Sequence, residues 1–500
     1  MNVSLIFIRD KRFYSRPSAK FMRKRKRHPY PGGKKHYVLA APPLGIMYLS
    51  AVLKRAGHGV TLTDQCHPEY STERYLESLR QQRPGMVGIS FLSNMCYPSA
   101  RDLACKVKSA LPSARVVMGG VFATINARKI IETEESVDAV ARGEGEGIVV
   151  DLAESVKTLD GIPGLTFRSP GGEVVEAPDR ERIADLDSVP FPDRAGLDIN
   201  YVAALPLAVP AVIWDRSNTA VLSSRGCTFQ CSYCNCPTFS SRRCVMRSAG
   251  NVLEELDEIS KQGYGAFSFV DDNFLLQPKR ATEISAGIKE RGHSFQWACQ
   301  GRPENRTRDA FGALASAGCD VMMFGIESGS QRVLDGMCKG TQLADVEKAV
   351  TAAKRAGIGI RHGFFIVGSP GETAEELRAT FKLAKRLPIN SFGFNSLTAF
   401  RGTGLWRDAV GRGLIDEDRD WDKMFPAHEI YPEALDSREL FLLRAKLVKR
   451  LIVHKITRSP RDAMRILGRF LKSMPMGAVY RVLTSSSSNH TRRRASASDR

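Results

Sequence analysis

The sequence predicts an α/β protein made of two successive parallel-sheet domains and a cationic helical extension. Two observations carry that class. Short apolar runs alternate with helical patterns twice along the chain, as expected for buried strands covered by helices. A stretch rich in proline and glycine separates the two alternations. With 500 residues, 43% of them hydrophobic, the chain is long enough for about three domains at roughly 150 residues each.

Within residues 1–157, strands are expected at 3–8, 60–64, 86–91, 115–119 and 138–141. The helix expected over 44–56 puts Ile46, Leu49, Val52 and Leu53 on one face and stops at Arg-Ala-Gly. Such a series implies a flavodoxin-like Rossmann domain, doubly wound, with ligands beyond the carboxyl ends of its strands. A basic insertion over 9–37 interrupts it: Arg9, Lys11, Arg12, Arg16, Lys20, Arg23, Lys24, Arg25, Lys26, Arg27, Lys34 and Lys35, with Asp10 the only acid among them. A solvated loop is the plainest use of such a run, and nucleic acid, anionic lipid or phosphorylated ligands are the anions it could attract. No stacking-aromatic or helix-turn-helix pattern accompanies it, which argues against nucleic acid.

Residues 158–218 read as an ordered connector, with a hairpin beginning at Gly164 and the proline-bearing Asp187-Ser-Val-Pro-Phe-Pro-Asp193. A second alternation over 219–410 places strands at 220–223, 266–270, 295–299, 321–326, 359–367 and 391–398. The helix at 251–261 carries Val252, Leu253, Leu256 and Ile259 on one side. Six strand–helix units are too few to close an eight-stranded barrel, so a partial (β/α)6 barrel is expected, with its chemistry at the strand C-terminal ends.

Residues 411–484 form the helical extension, where Leu440, Leu443, Leu447 and Leu451 share a face among Arg444, Lys446, Lys449, Arg450 and Lys455. Packing on the barrel is the commoner use of such a stripe, and a membrane surface is the other. Residues 485–500, rich in serine and arginine, are expected to be disordered.

No uninterrupted apolar run is long enough to span a bilayer, and the first eight residues read as a strand rather than a signal peptide. Eleven cysteines without a disulfide-like framework suit reduced thiols and metal ligation. A cytoplasmic protein is the expectation. Cys227, Cys231 and Cys234, in Arg-Gly-Cys-Thr-Phe-Gln-Cys-Ser-Tyr-Cys, can present three thiolates to one iron–sulfur cluster and leave one iron open. Structural zinc needs four ligands, and Cys236 or Cys244 could complete that set, so spacing alone leaves both metals open.

Position narrows the choice. A cysteine triplet immediately after the first strand of a six-unit half-barrel, with the aromatic Tyr233 before the third cysteine, resembles the radical S-adenosylmethionine superfamily. Phe269-Val-Asp-Asp-Asn-Phe, Trp297-Ala-Cys-Gln-Gly-Arg302, Phe324-Gly-Ile-Glu-Ser-Gly-Ser and Gly363-Phe-Phe-Ile-Val-Gly-Ser-Pro-Gly-Glu follow at the later strand ends. The resemblance implies that Cys227, Cys231 and Cys234 hold a four-iron, four-sulfur cluster whose open iron chelates S-adenosylmethionine. Reductive cleavage would then give a deoxyadenosyl radical. Tyr233, Asp271 or Asp272, Arg302, Glu327 and Ser328 become candidate S-adenosylmethionine contacts. At the sixth strand, Phe400-Arg-Gly-Thr403 departs from the usual Pro-Gly-Thr.

The first domain is similar to the cobalamin-binding domains fused to one large class of that superfamily. Pro42-Pro-Leu-Gly45 opens its first helix, Ser90-Phe-Leu92 follows the third strand, Gly119-Gly120 the fourth and Arg142-Gly-Glu-Gly-Glu the fifth. Leu44, Gly45, Ser90, Leu92, Gly119, Gly120 and Glu144 are therefore candidate cobalamin contacts. A small hydroxyl and residues without side chains would admit a nucleotide tail between sheet and helices. No residue matches the cobalt-ligating histidine of the methionine synthase type, and neither His28 nor His36 lies in that motif. The class implies methyl transfer from methylcobalamin to an unactivated carbon, less often phosphorus, of a small-molecule substrate, with an electron donor such as flavodoxin or ferredoxin. A cobalamin-dependent cyclase, rearrangement or oxidation enzyme is the alternative, and a zinc-bearing nucleic-acid-binding protein a remote one.

Overall fold

The computed structural model describes residues 1–10, 36–38, 40–155, 158–201, 217–304, 307–462 and 464. Most of the basic insertion, including His28, and the tail 485–500 lie outside the described residues. The first half contains β1 (Asn2–Phe7), β2 (His36–Val38), β3 (Gly59–Asp64), β4 (Met86–Ser90), β5 (Arg115–Gly119), β6 (Ala139–Ala141), β7 (Leu165–Arg168), β8 (Val174–Glu176) and β9 (Ile199–Tyr201). Seven of these form one sheet in the order β3-β1-β4-β5-β6-β7-β8. Its first five strands are parallel. Leaving aside the short β2, this is the flavodoxin-like order, with its switch point between β1 and β4.

The apolar runs explain the layering. Strand β1 reads Asn-Val-Ser-Leu-Ile-Phe and is buried over its four central residues, because helices cover both faces of a parallel sheet. Val3 and Leu5 join a core on one face with Ile46 and Leu53 of helix Leu44–Arg55, while Ile6 joins Leu103 and Val107 of helix Tyr97–Ala110 on the other. The expected connector hairpin is β7 and β8, which add antiparallel to β6 and cover that sheet edge.

The second half contains β10 (Asn218–Val221), β11 (Ser224–Arg225), β12 (Val245–Met246), β13 (Ala266–Phe269), β14 (Gln296–Gly301), β15 (Cys319–Glu327), β16 (Ile360–Val367) and β17 (Ser391–Ser396). Six strands pair in parallel as β10-β13-β14-β15-β16-β17, the open six-stranded partial barrel expected from the pattern. All four residues of β10 and of β13 are buried. Helix Ser437–Arg458 lays Leu440 and Leu451 into the barrel's outer core, with Leu443 and Leu447 packed beside them.

Buried charges staple the connector to both halves. Arg9, counted in the sequence with the cationic insertion, is instead a structural residue. Its Nε and Nη2 donate to the two oxygens of Asp64 at 2.6 Å each, and the Tyr201 hydroxyl donates to Asp64 Oδ2 at 2.7 Å. Burial alone would raise the Asp64 pKa, but Arg9 holds it below the usual carboxylate range. Ser50 and Lys54 donate to Asp193 at 2.7 and 2.6 Å. On the barrel side, fully buried Glu255 accepts from Arg194 at 2.5 Å and also from Arg247.

Candidate active site: two cavities at the strand ends

The first cavity, of about 330 Å³, lies between the sheet and helices Leu44–Arg55 and Gly145–Glu154. Leu44, Gly45, Ser90, Gly119, Gly120 and Glu144 all line it, as the sequence motifs anticipate. Leu92 does not; it is exposed beyond the strand end. Much of the rest of the wall is apolar, including Leu5, Ile89, Met118 and Val149, with Tyr48, Glu146 and Arg225 among it, and Gly88 forms part of it without motif support. Gly120 has φ +99°, and a Cβ there would stand 2.2 Å from the Phe91 carbonyl, so only glycine makes this turn without displacing backbone. A Cβ on Gly45 would meet nothing within 4 Å, which leaves open space at that wall. An apolar slot floored by residues with little or no side chain fits a long, inserted organic ligand such as the cobalamin tail.

The second cavity, of about 540 Å³, opens at the strand ends of the barrel and is lined by Cys227, Cys231, Tyr233, Cys234, Cys236, Asp272, Arg302, Glu327 and Lys339, among others. The loop bearing the thiols depends on Gly226, whose φ is +97° and whose missing Cβ would lie 2.3 Å from the Arg243 carbonyl. Ser232 N–H donates to the Met337 carbonyl at 2.9 Å and Leu405 N–H to the Ser232 carbonyl at 2.8 Å, so the loop is held from both sides. Among the described residues no three His, Cys, Asp or Glu side chains converge as the ligands of one ion would. The thiols line a shared wall instead, and in a cluster each thiolate meets a different iron.

The flanking polar groups divide into two kinds. Asp272 accepts from Gly226 N–H at 3.2 Å and lines the cavity. Asp271 does not reach it: its carboxylate accepts from the Ser223 and Ser224 amides and hydroxyls, is fully buried, and is pushed up to about 6 by burial. Ser328 is likewise buried away from the cavity, with its hydroxyl on Thr380 at 3.2 Å. Both belong to the scaffold, because their neighbours saturate them. Arg302 stacks 3.6 Å over the Phe229 ring, donates to Glu304 Oε1 at 2.8 Å and Thr341 Oγ1 at 2.9 Å, and points Nη1 at Cys231 Sγ from 3.6 Å.

Lys339 escaped the sequence reading, since a lone lysine after a helix carries no periodic signal. It is 4% exposed, donates to Glu327 Oε1 at 2.8 Å and reaches the Tyr233 hydroxyl at 3.3 Å. Glu327 itself adopts φ +68° where the pairing of β15 with β16 slips register. A non-glycine residue held there stores strain of the kind found at ligand sites. Arg401 reaches across to Asn126 Oδ1 of the first domain at 2.8 Å, while Thr403 caps the next helix by accepting from Trp406 N–H at 3.1 Å.

Arg225 joins the two cavities. It lines the first, lies two residues before Cys227 of the second, and donates to Glu146 Oε1 at 2.5 Å and Glu144 Oε1 at 3.4 Å. Glu144 also accepts from Ile183 N–H of the connector at 2.7 Å.

A doubly wound domain with an apolar slot, joined to a half-barrel whose strand ends carry three loop cysteines, defines a two-cofactor enzyme class. The Radical SAM superfamily model matches residues 221–384 and the B12 binding domain model residues 35–153. An uncharacterized methyltransferase of Pyrococcus horikoshii is 32% identical over 380 residues, covering 75% of this chain and 80% of the relative. The anaerobic magnesium-protoporphyrin IX monomethyl ester cyclase of Rubrivivax gelatinosus is 26% identical, covering 80% of this chain and 71% of that one. The radical S-adenosylmethionine methyltransferase TsrM from Kitasatospora setae, solved with cobalamin and a four-iron, four-sulfur cluster bound, superposes with a TM-score of 0.64 at 20% identity, over 82% of this chain and 75% of TsrM. The chain belongs to the cobalamin-binding radical S-adenosylmethionine family, whose cofactors are the four-iron, four-sulfur cluster, S-adenosylmethionine and cobalamin. That membership, rather than cysteine spacing, decides against structural zinc.

Proposed function

We propose that the protein is a cobalamin-dependent methyltransferase acting on an unactivated carbon, or on phosphorus, of a small molecule. The observation that carries this reading is the junction at Arg225, which puts the wall of the apolar slot within three residues of the cysteine loop. When bound, the cofactors supply a radical able to take a hydrogen atom and a methyl group to deliver in its place.

Cys227, Cys231 and Cys234 are the proposed cluster ligands. Asp272, Glu327 and Tyr233 are placed to accept from, and Lys339 to donate to, the polar groups of S-adenosylmethionine. Arg302 holds its guanidinium beside Cys231. Gly45, Ser90 and Gly119 would give the cobalamin tail its space, Gly120 makes the turn beside them, and Leu44 would pack against the tail. Glu144 orients Arg225. The barrel walls exclude water from a reactive centre. A flavodoxin or ferredoxin is the proposed electron donor. TsrM is also known with tryptophan bound, so a small-molecule substrate is in keeping with the fold.

Anaerobic reconstitution with cobalamin and methyl-labelled S-adenosylmethionine tests the proposal. Methyl transfer yields both deoxyadenosine and S-adenosylhomocysteine. Deoxyadenosine without S-adenosylhomocysteine or label transfer would replace it with the cyclase or oxidation reading.

A further inference from the structure

The helix Ser437–Arg458 has a buried face and an outer face. On the inner face the cations act as struts: Arg444 donates to the Phe394 carbonyl at 2.6 Å and Ser396 Oγ at 3.4 Å, and Lys455 donates to the Leu387 carbonyl at 2.6 Å. The outer face is different. Leu442, Val453 and Ile456 are 56%, 61% and 50% exposed, and Met464 beyond the helix is 65% exposed. Leu442, Lys446, Lys449, Val453 and Ile456 recur at helical spacing, so they form one stripe along about 21 Å of helix. Arg450 and Arg458 flank it, also exposed. From Leu440 to Arg461 the sequence holds no acidic residue, and among the described residues Lys446, Lys449 and Arg450 form no ion pair.

We propose that this outer face docks on an anionic lipid bilayer. Aliphatic side chains separated by lysines along a single stripe suit an interface in which the apolar groups enter the acyl boundary while the ammonium groups reach the phosphates. The same stripe suits a protein partner poorly, since lysine is depleted at the core of such interfaces. Pairing with a second copy would set Lys446, Lys449 and Arg450 against their own equivalents. The charge of the sequence agrees: the chain carries +19 overall, and the sequence from 459 to 484 holds Arg461, Arg465, Arg469, Lys472 and Arg481 against Asp462 alone. Docking would also orient the enzyme. Ser396, to which Arg444 donates, lines the barrel cavity, and Leu440 sits under Gly368 at the end of β16, so the helix begins at the cavity rim.

The test is co-sedimentation of the full chain with vesicles of phosphatidylcholine alone, or with about one third phosphatidylglycerol. Binding is expected to the anionic vesicles only. L442S/V453S/I456S should weaken it tenfold or more, and K446E/K449E/R450E by roughly a hundredfold, with unchanged thermal melting. The proposal is overturned by no binding of the unmodified chain to anionic vesicles, or by undiminished binding of both triple variants, which would assign the affinity to the cationic segment beyond the helix. A dimer in solution that the serine variant dissociates would also overturn it, in favour of a second copy as the occupant.

Discussion

Both cavities reach the carboxyl ends of parallel strands, the first running back between sheet and helices, yet the chain builds them by opposite means. The first is made by omission: Gly45, Gly119 and Ser90 leave a slot whose walls are largely aliphatic. The second is made by addition: four thiols, Asp272, Arg302, Glu327 and Lys339 crowd one opening. A site made by omission is governed by volume and backbone conformation, whereas a site made by addition is governed by charge and ligation. Substitutions that are harmless in one should be severe in the other.

The largest effect is expected at the thiols. Cys227→Ala should reduce cluster iron and sulfide, and with them deoxyadenosine formation, to background. Cobalamin binding, read by absorbance, should persist. If cobalamin is lost as well, the cavities are not separable.

Next in size is Gly120→Val. The φ of +99° and the 2.2 Å approach to the Phe91 carbonyl predict a loss of about 2–3 kcal/mol in urea unfolding, with cobalamin retention falling too. Retained stability would show that the turn can relax. Arg225→Gln addresses the junction: iron content should hold while cobalamin affinity falls about tenfold, equivalent to about 1.4 kcal/mol. An unchanged affinity would make the link to Glu144 and Glu146 purely structural.

The smallest expected effect concerns pH. Burial pushes the Glu372 carboxyl up to about 7, although it accepts from the Gly368 and Ser369 amides. Its folded pKa lies above the unfolded value, so the fold prefers the protonated form. The contribution is full at acid pH and is lost as pH rises through about 7. Between about pH 6 and about pH 8 the protein should lose about 1 kcal/mol that Glu372→Gln does not lose. Unfolding midpoints at the two pH values check this.

Most of the fold was legible because period and punctuation are local properties. The strand runs around Leu5, Ile89, Val117, Phe267 and Phe324 all fall in the strands expected of them, since an apolar run bounded by helical patterns has few other uses. The cysteine triplet and the paired glycines stand out for the same reason, a fixed spacing along one loop, and the structure sets them on the walls of the two cavities. Asp271 and Asp272, adjacent in sequence, could not be told apart. Which one faced the cavity depended on where Ser223 and Ser224 of the neighbouring strand end would lie. Arg225 was illegible because its partners are distant in the chain, and Lys339 because a lone lysine after a helix carries no periodic signal.

The sequence by itself determined two parallel-sheet domains, the order of their strands along the chain, and the resemblance that short motifs carry. Tertiary structure alone decided that Arg9 is a buried strut for Asp64, that Arg302 is held by Glu304 and Phe229, and that Arg225 bridges the two cavities. The physical reason is range. Backbone propensity and motif spacing act over a few residues, but a charged side chain takes its role from whichever opposite charge the folded chain brings within hydrogen-bond reach.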